Sequence, residues 1–167
     1  MKVLVKTLLA VGMIVGLISA AIATTDTATS TVTITFSEIS ELAVSGDPGT
    51  LTIGTATAGS LPADQTDATT TMAWTSSVAV GTTRKITGSI ASLFPGIDLY
   101  ATVTAGGGSG TSAGEQKLIV TDTDFVTGIG NCNTSGETIT FRANVTSLVA
   151  PYTSTQKVVT WTLTEDS

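Results

Sequence analysis

The feature that most constrains the fold of this chain is a period-two alternation of large apolar and hydroxylated side chains. Its clearest instance is the run from 157 to 163, where apolar residues occupy alternate positions and threonines stand between them. These apolar residues are Val159, Trp161 and Leu163. An extended backbone sends successive side chains to opposite faces, so the run predicts a strand with one apolar and one polar face. We expect this closing strand to pack against a second sheet.

Similar alternation recurs along the chain between turn-forming glycine, proline and asparagine residues. The predicted strands are residues 31–36, 50–53, 70–75, 85–90, 97–104, 116–121, 126–130, 138–145 and 157–163. No segment has a convincing helical period. We therefore predict an all-β fold, an antiparallel β-sandwich of about eight or nine strands, Ig-like or jelly-roll-like, in a single domain over residues 31–167. Gly88 is expected to make room for a bulky neighbour.

The composition favours strands and limits the partners. Charged residues make up only 12% of the 167-residue chain, and 13 acidic residues oppose 7 basic ones. Removal of Lys2 and Lys6 with a leader leaves 5 basic residues against 13 acidic residues, a net charge of −8. Arg84-Lys85 is the only pair of adjacent basic residues. Phosphate binding needs clustered basic side chains, so nucleic acid and anionic membrane surfaces are not expected as partners.

The N-terminus has the pattern of a secretory signal peptide. A long uncharged run follows Lys6, and Ala21-Ile22-Ala23 places small residues where a signal peptidase cleaves. We predict a signal peptide over residues 1–23, a flexible polar arm over residues 24–30, and a secreted protein located outside the cell or on its surface. The membrane is then a partner only before cleavage. A retained membrane anchor is the alternative, because the run is near the lower length limit for a span.

Cys132 is the only cysteine, so no disulfide can form within one copy even in an oxidising compartment. The sequence around it, Asn131-Cys132-Asn133-Thr134, predicts a turn. We interpret the thiol as an unreactive loop residue. An intermolecular disulfide through Cys132 is the alternative.

The residue types needed for most catalytic and metal chemistry are scarce. The sequence contains no histidine, which removes the commonest general base and the imidazole ligands of zinc. Asp122 with Asp124, and Asp64 with Asp67, are candidate calcium ligands, but no loop has the ligand pattern of a known calcium motif. We interpret these aspartates as solvated turn residues. We therefore predict no catalytic residue, no metal site, no cofactor and no enzymatic activity; an enzyme that uses carboxylates alone is the alternative.

The polar arm leads directly into the first alternating segment, whose apolar residues are Val32, Ile34 and Phe36. A strand on a flexible arm can leave its own domain and pair with an open sheet edge of a neighbour. We therefore predict a structural protein that associates with copies of itself in an extracellular fibre or surface assembly. In the alternative, the same strand folds back into its own domain.

A second hypothesis is a binding module for the cell wall or another carbohydrate. Trp74, Tyr100 and Tyr152 are the candidate stacking platforms, because an aromatic ring offers an apolar face to a sugar. This hypothesis requires that these rings are exposed. The partner is then a cell-wall polymer and not a second copy of the chain.

Two resemblances to known families support an extracellular location. Thr160-Trp161-Thr162-Leu163, in a terminal strand, resembles the closing motif of bacterial WxL-type cell-surface domains. That resemblance implies a secreted β-rich module implicated in cell-wall attachment. The segments 46–53, 84–87 and 126–129 resemble secreted bacterial proteins of unassigned function, and the general pattern is similar to β-sandwich fibre subunits of the TasA and camelysin kind. The second resemblance implies a fibre-forming sandwich.

Overall fold

The computed structural model describes residues 27–152 and 155–166. Within these residues the protein is all-β, with nine strands in two antiparallel sheets and no helix. The strands are β1 (Ile39–Ser45), β2 (Gln65–Ser77), β3 (Arg84–Ile90), β4 (Ile97–Val103), β5 (Thr111–Ser112), β6 (Gln116–Lys117), β7 (Thr123–Ile129), β8 (Cys132–Val145) and β9 (Val159–Glu165). The prediction of an antiparallel β-sandwich is confirmed.

One sheet has five strands in the order β1-β2-β8-β4-β6, and the other has four in the order β5-β7-β3-β9. The core lies between them and is formed by large apolar side chains from both sheets. Its fully buried members include Met72, Trp74, Ile86, Ile90, Val103, Phe125, Val126, Ile129 and Ile139. At roughly 1.5–3 kcal/mol for each large side chain removed from water, this core is the main source of stability.

The longest strand, β8, shows how the alternation is used. The predicted inward residues Ile139, Phe141, Ala143 and Val145 are all buried. β2 pairs with one side of β8 and β4 with the other, so neither edge of β8 is free. Every second side chain of β8 therefore lies in the core, as the sequence pattern predicts.

The prediction for Gly88 is also confirmed. A Cβ atom added there would lie 2.7 Å from the ring of Trp161 and 2.8 Å from the ring of Phe125. These distances are shorter than any stable carbon–carbon contact, so only glycine lets the two rings pack over β3. The side chains of β9 and β7 therefore meet across the backbone of β3.

Two predicted strands are absent where they were expected. Residues 31–36 and 50–53 are irregular, and the first strand begins at Ile39. Alternation creates an apolar face, but a strand also needs a neighbour to satisfy its backbone groups. Neither segment pairs with a strand in the described part of the chain, although Leu51 does pack against the core. The alternative, in which residues 31–36 fold back as a strand of their own domain, is therefore not observed.

The prediction that Cys132 lies in a turn is also wrong. It is the first residue of β8, where it pairs with Ser76 of β2, and it is half-buried. The turn that the surrounding asparagines predict ends one residue earlier, because the β2 partner extends to this end of the sheet. A half-buried thiol in a ladder is less accessible than a thiol in an exposed turn.

The compact unit extends from Phe36 to Ser167. The remaining unit contains the predicted signal peptide, which lies outside the described residues together with the start of the predicted arm. Its described part, residues 27–35, has no secondary structure and is exposed throughout. In the described residues, no helix has the length and apolarity needed to span a bilayer.

Candidate functional site

The last strand, β9, is an edge strand. Within residues 27–152 and 155–166 it pairs only with β3, from Arg84 opposite Glu165 to Ile90 opposite Val159. The predicted inward residues Val159, Trp161 and Leu163 do face the core, but each is only half-buried. The second sheet covers the inner face of β9, but no described strand lies beside its outer edge. Its apolar side chains are therefore partly exposed to solvent at that edge.

Trp161 is held by two other aromatic rings. Its centroid lies 4.9 Å from that of Phe125 in an edge-to-face arrangement and 6.5 Å from that of Phe141. Phe141 belongs to β8 in the opposite sheet, so Trp161 contacts both layers of the sandwich. Such pairs contribute about 0.5–1.5 kcal/mol beyond the area they bury. The inner side of β9 is therefore firmly positioned although its edge is open.

The segment with the predicted assembly residues has the opposite character. Val32, Ile34 and Phe36 are 77%, 84% and 75% exposed. Single exposed apolar side chains are common on protein surfaces, but three large ones at alternate positions form a strip. Neither the segment from 27 to 36 nor β9 before Glu165 contains a charged residue. Pairing such a segment with β9 would therefore bury no charge.

The second long edge belongs to β1, which pairs only with β2 in the described residues. β1 and β9 lie near each other along one side of the sandwich. β1 carries Glu41 in its middle, and only Leu42 of its side chains packs against the core. A charge on an edge strand discourages the addition of another strand. The two edges therefore differ in how well they are protected.

The aromatic residues proposed as carbohydrate platforms are not brought together. Trp74 is only 2% exposed, and its Nε1 donates to the Ser109 carbonyl at 3.1 Å, so the expectation that it stacks on a sugar is wrong. The Trp74 side chain points into the core, because it lies on the face of β2 that the second sheet covers. Tyr100 is half-buried, with the Arg142 guanidinium 4.4 Å above its ring. Only Tyr152 is exposed.

A charged network covers the outer face of the five-stranded sheet. Arg142 on β8 donates from Nε and Nη2 to the two carboxylate oxygens of Glu115, each at 2.7 Å, and from Nη1 to Asp64. Asn144 Nδ2 donates to the other Asp64 oxygen at 2.8 Å. The Asn144 and Arg142 hydrogen bonds hold the pKa of Asp64 below its ordinary value, and Arg142 does the same for the pKa of Glu115. Asp64 is exposed and lies outside the strands, as expected, but its carboxylate is bound by Arg142 and Asn144.

The carboxylates closest to a cleft have structural partners. A shallow cleft of about 230 Å³ lies beside Glu38, Arg84, Glu165 and Asp166. Glu38 accepts from the Ala79 backbone amide at 3.1 Å and pairs with Arg84 at 3.3 Å, and Asp166 accepts from the Gly128 amide at 3.0 Å. These bonds fix the β2–β3 connection and the end of β7.

The candidate calcium ligands are dispersed. Asp124 lies on β7 and pairs with Lys85 at 3.3 Å, so it is not a turn residue. Asp67 accepts hydrogen bonds from the amide and hydroxyl of Thr69. No group of three or more histidine, cysteine, aspartate or glutamate side chains suited to a metal occurs in the described residues.

Sequence reasoning missed how the glycine-rich segment after β4 is held. Glu137 on β8 accepts from the Thr134 hydroxyl at 2.7 Å, the Thr104 hydroxyl at 2.8 Å and the Gly106 amide at 3.0 Å. Burial opposes its charge, but these donors lower the pKa of Glu137 below the ordinary value. The pairing of β8 with β4 brings these residues together, and no local pattern in the sequence indicates it.

Comparison of the chain with protein-family models, with curated proteins and with solved structures finds no match. The resemblances to WxL-type domains and to fibre subunits of the TasA and camelysin kind therefore stay predictions.

Proposed function

We propose that this protein is a non-enzymatic, secreted structural protein whose copies associate into an extracellular fibre or surface assembly. Copies are joined when the segment from 31 to 36 of one copy adds as a strand to another. The partner is thus a second copy of the chain, with no cofactor involved. The export signal predicted in residues 1–23 delivers it to the outside of the cell.

The observation that carries the proposal is the exposed apolar strip of Val32, Ile34 and Phe36 in a chain that also has an open sheet edge. Water-exposed apolar side chains gain roughly 1.5–3 kcal/mol each on burial. Fixing one residue's backbone costs roughly 1–2 kcal/mol. For the six residues of the segment, the three side chains therefore offset only part of the ordering cost. The hydrogen bonds of the new ladder and contacts between the domains supply the rest and the net affinity.

The competing hypothesis of a carbohydrate-binding module has less support. It depends on exposed aromatic faces, and the burial of Trp74 and the contact of Arg142 with Tyr100 leave Tyr152 as the single exposed candidate. One tyrosine in an irregular segment is a weak platform. No observation favours this function over self-association.

The test replaces the strip and leaves the rest of the segment intact. The variant Val32→Ser/Ile34→Ser/Phe36→Ser removes the apolar side chains, and the control Thr31→Ser/Thr33→Ser/Thr35→Ser changes the opposite face of the same residues. Size-exclusion chromatography and negative-stain images of the processed protein at high concentration are compared. We expect the unmodified protein and the control to assemble and the apolar variant to be monomeric. A monomeric unmodified protein, or assemblies that the apolar variant still forms, would refute the proposal.

A further inference from the structure

We infer that the segment from 31 to 36 joins the β9 edge of the next copy in the antiparallel direction, and that copies are therefore joined head to tail. The inference rests on the proposed function, because it requires that copies associate through this segment. It adds the acceptor strand, the direction of pairing and the symmetry of the product.

The β9 edge fits the segment better than the β1 edge does. Val159, Trp161 and Leu163 alternate on the core side of β9, with the same spacing as Val32, Ile34 and Phe36. A strand placed beside β9 would continue that apolar face by three side chains and cover the open side of Trp161. On β1 the corresponding face has Leu42 and the more exposed Val44, and the charged Glu41 precedes Leu42 on the opposite face.

The two ends of the sandwich can be told apart by β3. At its Arg84 end lie Glu165, the last residue of β9, and Glu38, which pairs with Arg84 at 3.3 Å. The polypeptide therefore enters the compact unit at the Arg84 end. At its Ile90 end lies Val159, the first residue of β9. β9 thus runs from the Ile90 end to the Arg84 end.

These ends relate the direction of pairing to the symmetry of the assembly. A second copy stacked in the same orientation on the Ile90 end inserts its segment from that end, with residue 31 deepest. The inserted segment then runs opposite to β9. In a two-fold dimer whose Arg84 ends face each other, or in a copy that inserts its own segment, the segment enters from the Arg84 end and runs parallel to β9. Of these arrangements, antiparallel pairing goes with the head-to-tail contact, which each further copy can repeat.

The sheet chemistry favours the antiparallel direction. Every strand pair described in this protein is antiparallel. Antiparallel ladders are also slightly more stable per residue than parallel ones, because their hydrogen bonds are perpendicular to the strands. A segment that adds to β9 in this direction continues the existing pattern of the four-stranded sheet.

The Ile90 end has the surface that such stacking would cover. It carries exposed large apolar residues from the β3–β4 connection and from the segment after β8. These are Leu93, Leu148, Val149 and Val158. They lie at this end because Ala91 N donates to Val158 O at 3.0 Å and Thr146 N to Gly96 O at 2.9 Å. The Arg84 end of the next copy would meet this patch, with the fully exposed Val80 of its β2–β3 connection.

Disulfide cross-linking tests the direction. Outward-facing threonines are replaced in a Cys132→Ser background, which removes the native thiol. If Thr33 lies opposite Thr162, antiparallel pairing places Thr35 beside Thr160, and parallel pairing places Thr35 beside Thr164. The variants are therefore Thr35→Cys/Thr160→Cys and Thr35→Cys/Thr164→Cys, with Thr35→Cys/Ala43→Cys to probe β1. A matching set with Thr33→Cys or Thr31→Cys covers a shift of register by one pair.

We expect oxidation of the processed, assembled protein to give a ladder of covalent oligomers with Thr160→Cys and none with Thr164→Cys or Ala43→Cys. Mass spectrometry of the excised bands identifies the joined cysteines. Oligomers joined through Ala43→Cys would overturn the choice of β9. Oligomers joined through Thr164→Cys, or cross-linked monomers, would overturn the direction. The proposed function fails if no assemblies form, or if the strip variant described above still assembles. The choice of β9 or of the direction fails alone if assemblies depend on the strip but the cysteines cross-link differently.

Discussion

Strands β8 and β9 have the same alternation of apolar and polar residues, yet they lie in different environments. β8 lies between β2 and β4, and its four inward residues are buried. β9 has β3 on one side only among the described strands, and its three inward residues are half-buried. The difference does not come from the side chains themselves, because Trp161 and Leu163 are as apolar as Phe141 and Ile139.

The comparison separates two properties that a sequence pattern combines. Alternation determines which side chains share a face, since that follows from the geometry of an extended chain. Whether the face is covered depends on strand order, which is set by pairings between residues far apart in sequence. A half-covered apolar face at an edge is a place where another strand can add.

The largest expected effect is on the interior strand. Phe141→Ala should lower the free energy of unfolding by about 3–5 kcal/mol, because it leaves a cavity in a fully packed core. Leu163→Ala on β9 should cost about 1 kcal/mol, roughly half the transfer free energy of a fully buried leucine. Urea unfolding in the monomeric strip variant measures both. Equal costs would show that β9 is as enclosed as β8 and would remove the basis of the comparison.

The next effect tests what holds β9 from inside. Gly88→Ala should destabilise the protein by about 1–3 kcal/mol, because its Cβ would overlap the rings of Trp161 and Phe125. Gly54→Ala is the control, since an added Cβ there meets nothing within 4 Å. Thermal unfolding gives the stabilities, and the near-ultraviolet circular dichroism of the aromatic rings reports their packing. If the two variants were equally stable, the contact across β3 would not matter.

The smallest effect concerns the outer faces, where β8 has charges and β9 has threonines. Arg142→Met should destabilise the protein near neutral pH by less than either change above. The folded pKa values of Asp64 and Glu115 lie below their ordinary values of 3.8 and 4.5. Arg142 therefore stabilises the protein fully above these ordinary values and loses its effect as the pH falls through the lower folded pKa values. The difference between wild type and variant should therefore shrink as the pH falls below these ordinary values.

Thr162→Val on the outer face of β9 is the matched control for that pH series. It removes an exposed hydroxyl and no charge, so its effect should not vary with pH. Urea midpoints measured at several pH values decide the comparison. An Arg142→Met difference that is constant with pH would show that the arginine acts through packing on Tyr100 and not through its ion pairs.

Much of the fold could be predicted because it follows from local alternation. The inward residues of β8, the space at Gly88 and the two-sheet architecture were all readable from period-two patterns and turn residues. The predictions that were wrong all depend on which other strands lie beside a segment or cover it. Residues 31–36 have a strand's alternation without a strand's neighbour, Trp74 looks available for a ligand until the second sheet covers it, and Cys132 follows an asparagine that suggests a turn.

The candidate site was predictable in its residues and not in its geometry. Val32, Ile34 and Phe36 were identifiable from their spacing, and so were Val159, Trp161 and Leu163. That β9 is an edge, and that β1 with Glu41 is the other long edge beside it, depends on the order of strands in the two sheets. Such order comes from long-range pairing, for which the sequence has no local signal.

The bond from Trp74 to Ser109 has a consequence for proteolysis. The segment from 106 to 110 contains four glycines, a composition typical of a flexible loop. Trp74 and Glu137 nevertheless hold it at both ends by hydrogen bonds. In addition, Gly110 packs against Val126 and Ile129. Proteases cut chains that can be drawn into an extended shape in their clefts, and a tethered link resists this. The indole should thus make this glycine-rich segment harder to cleave.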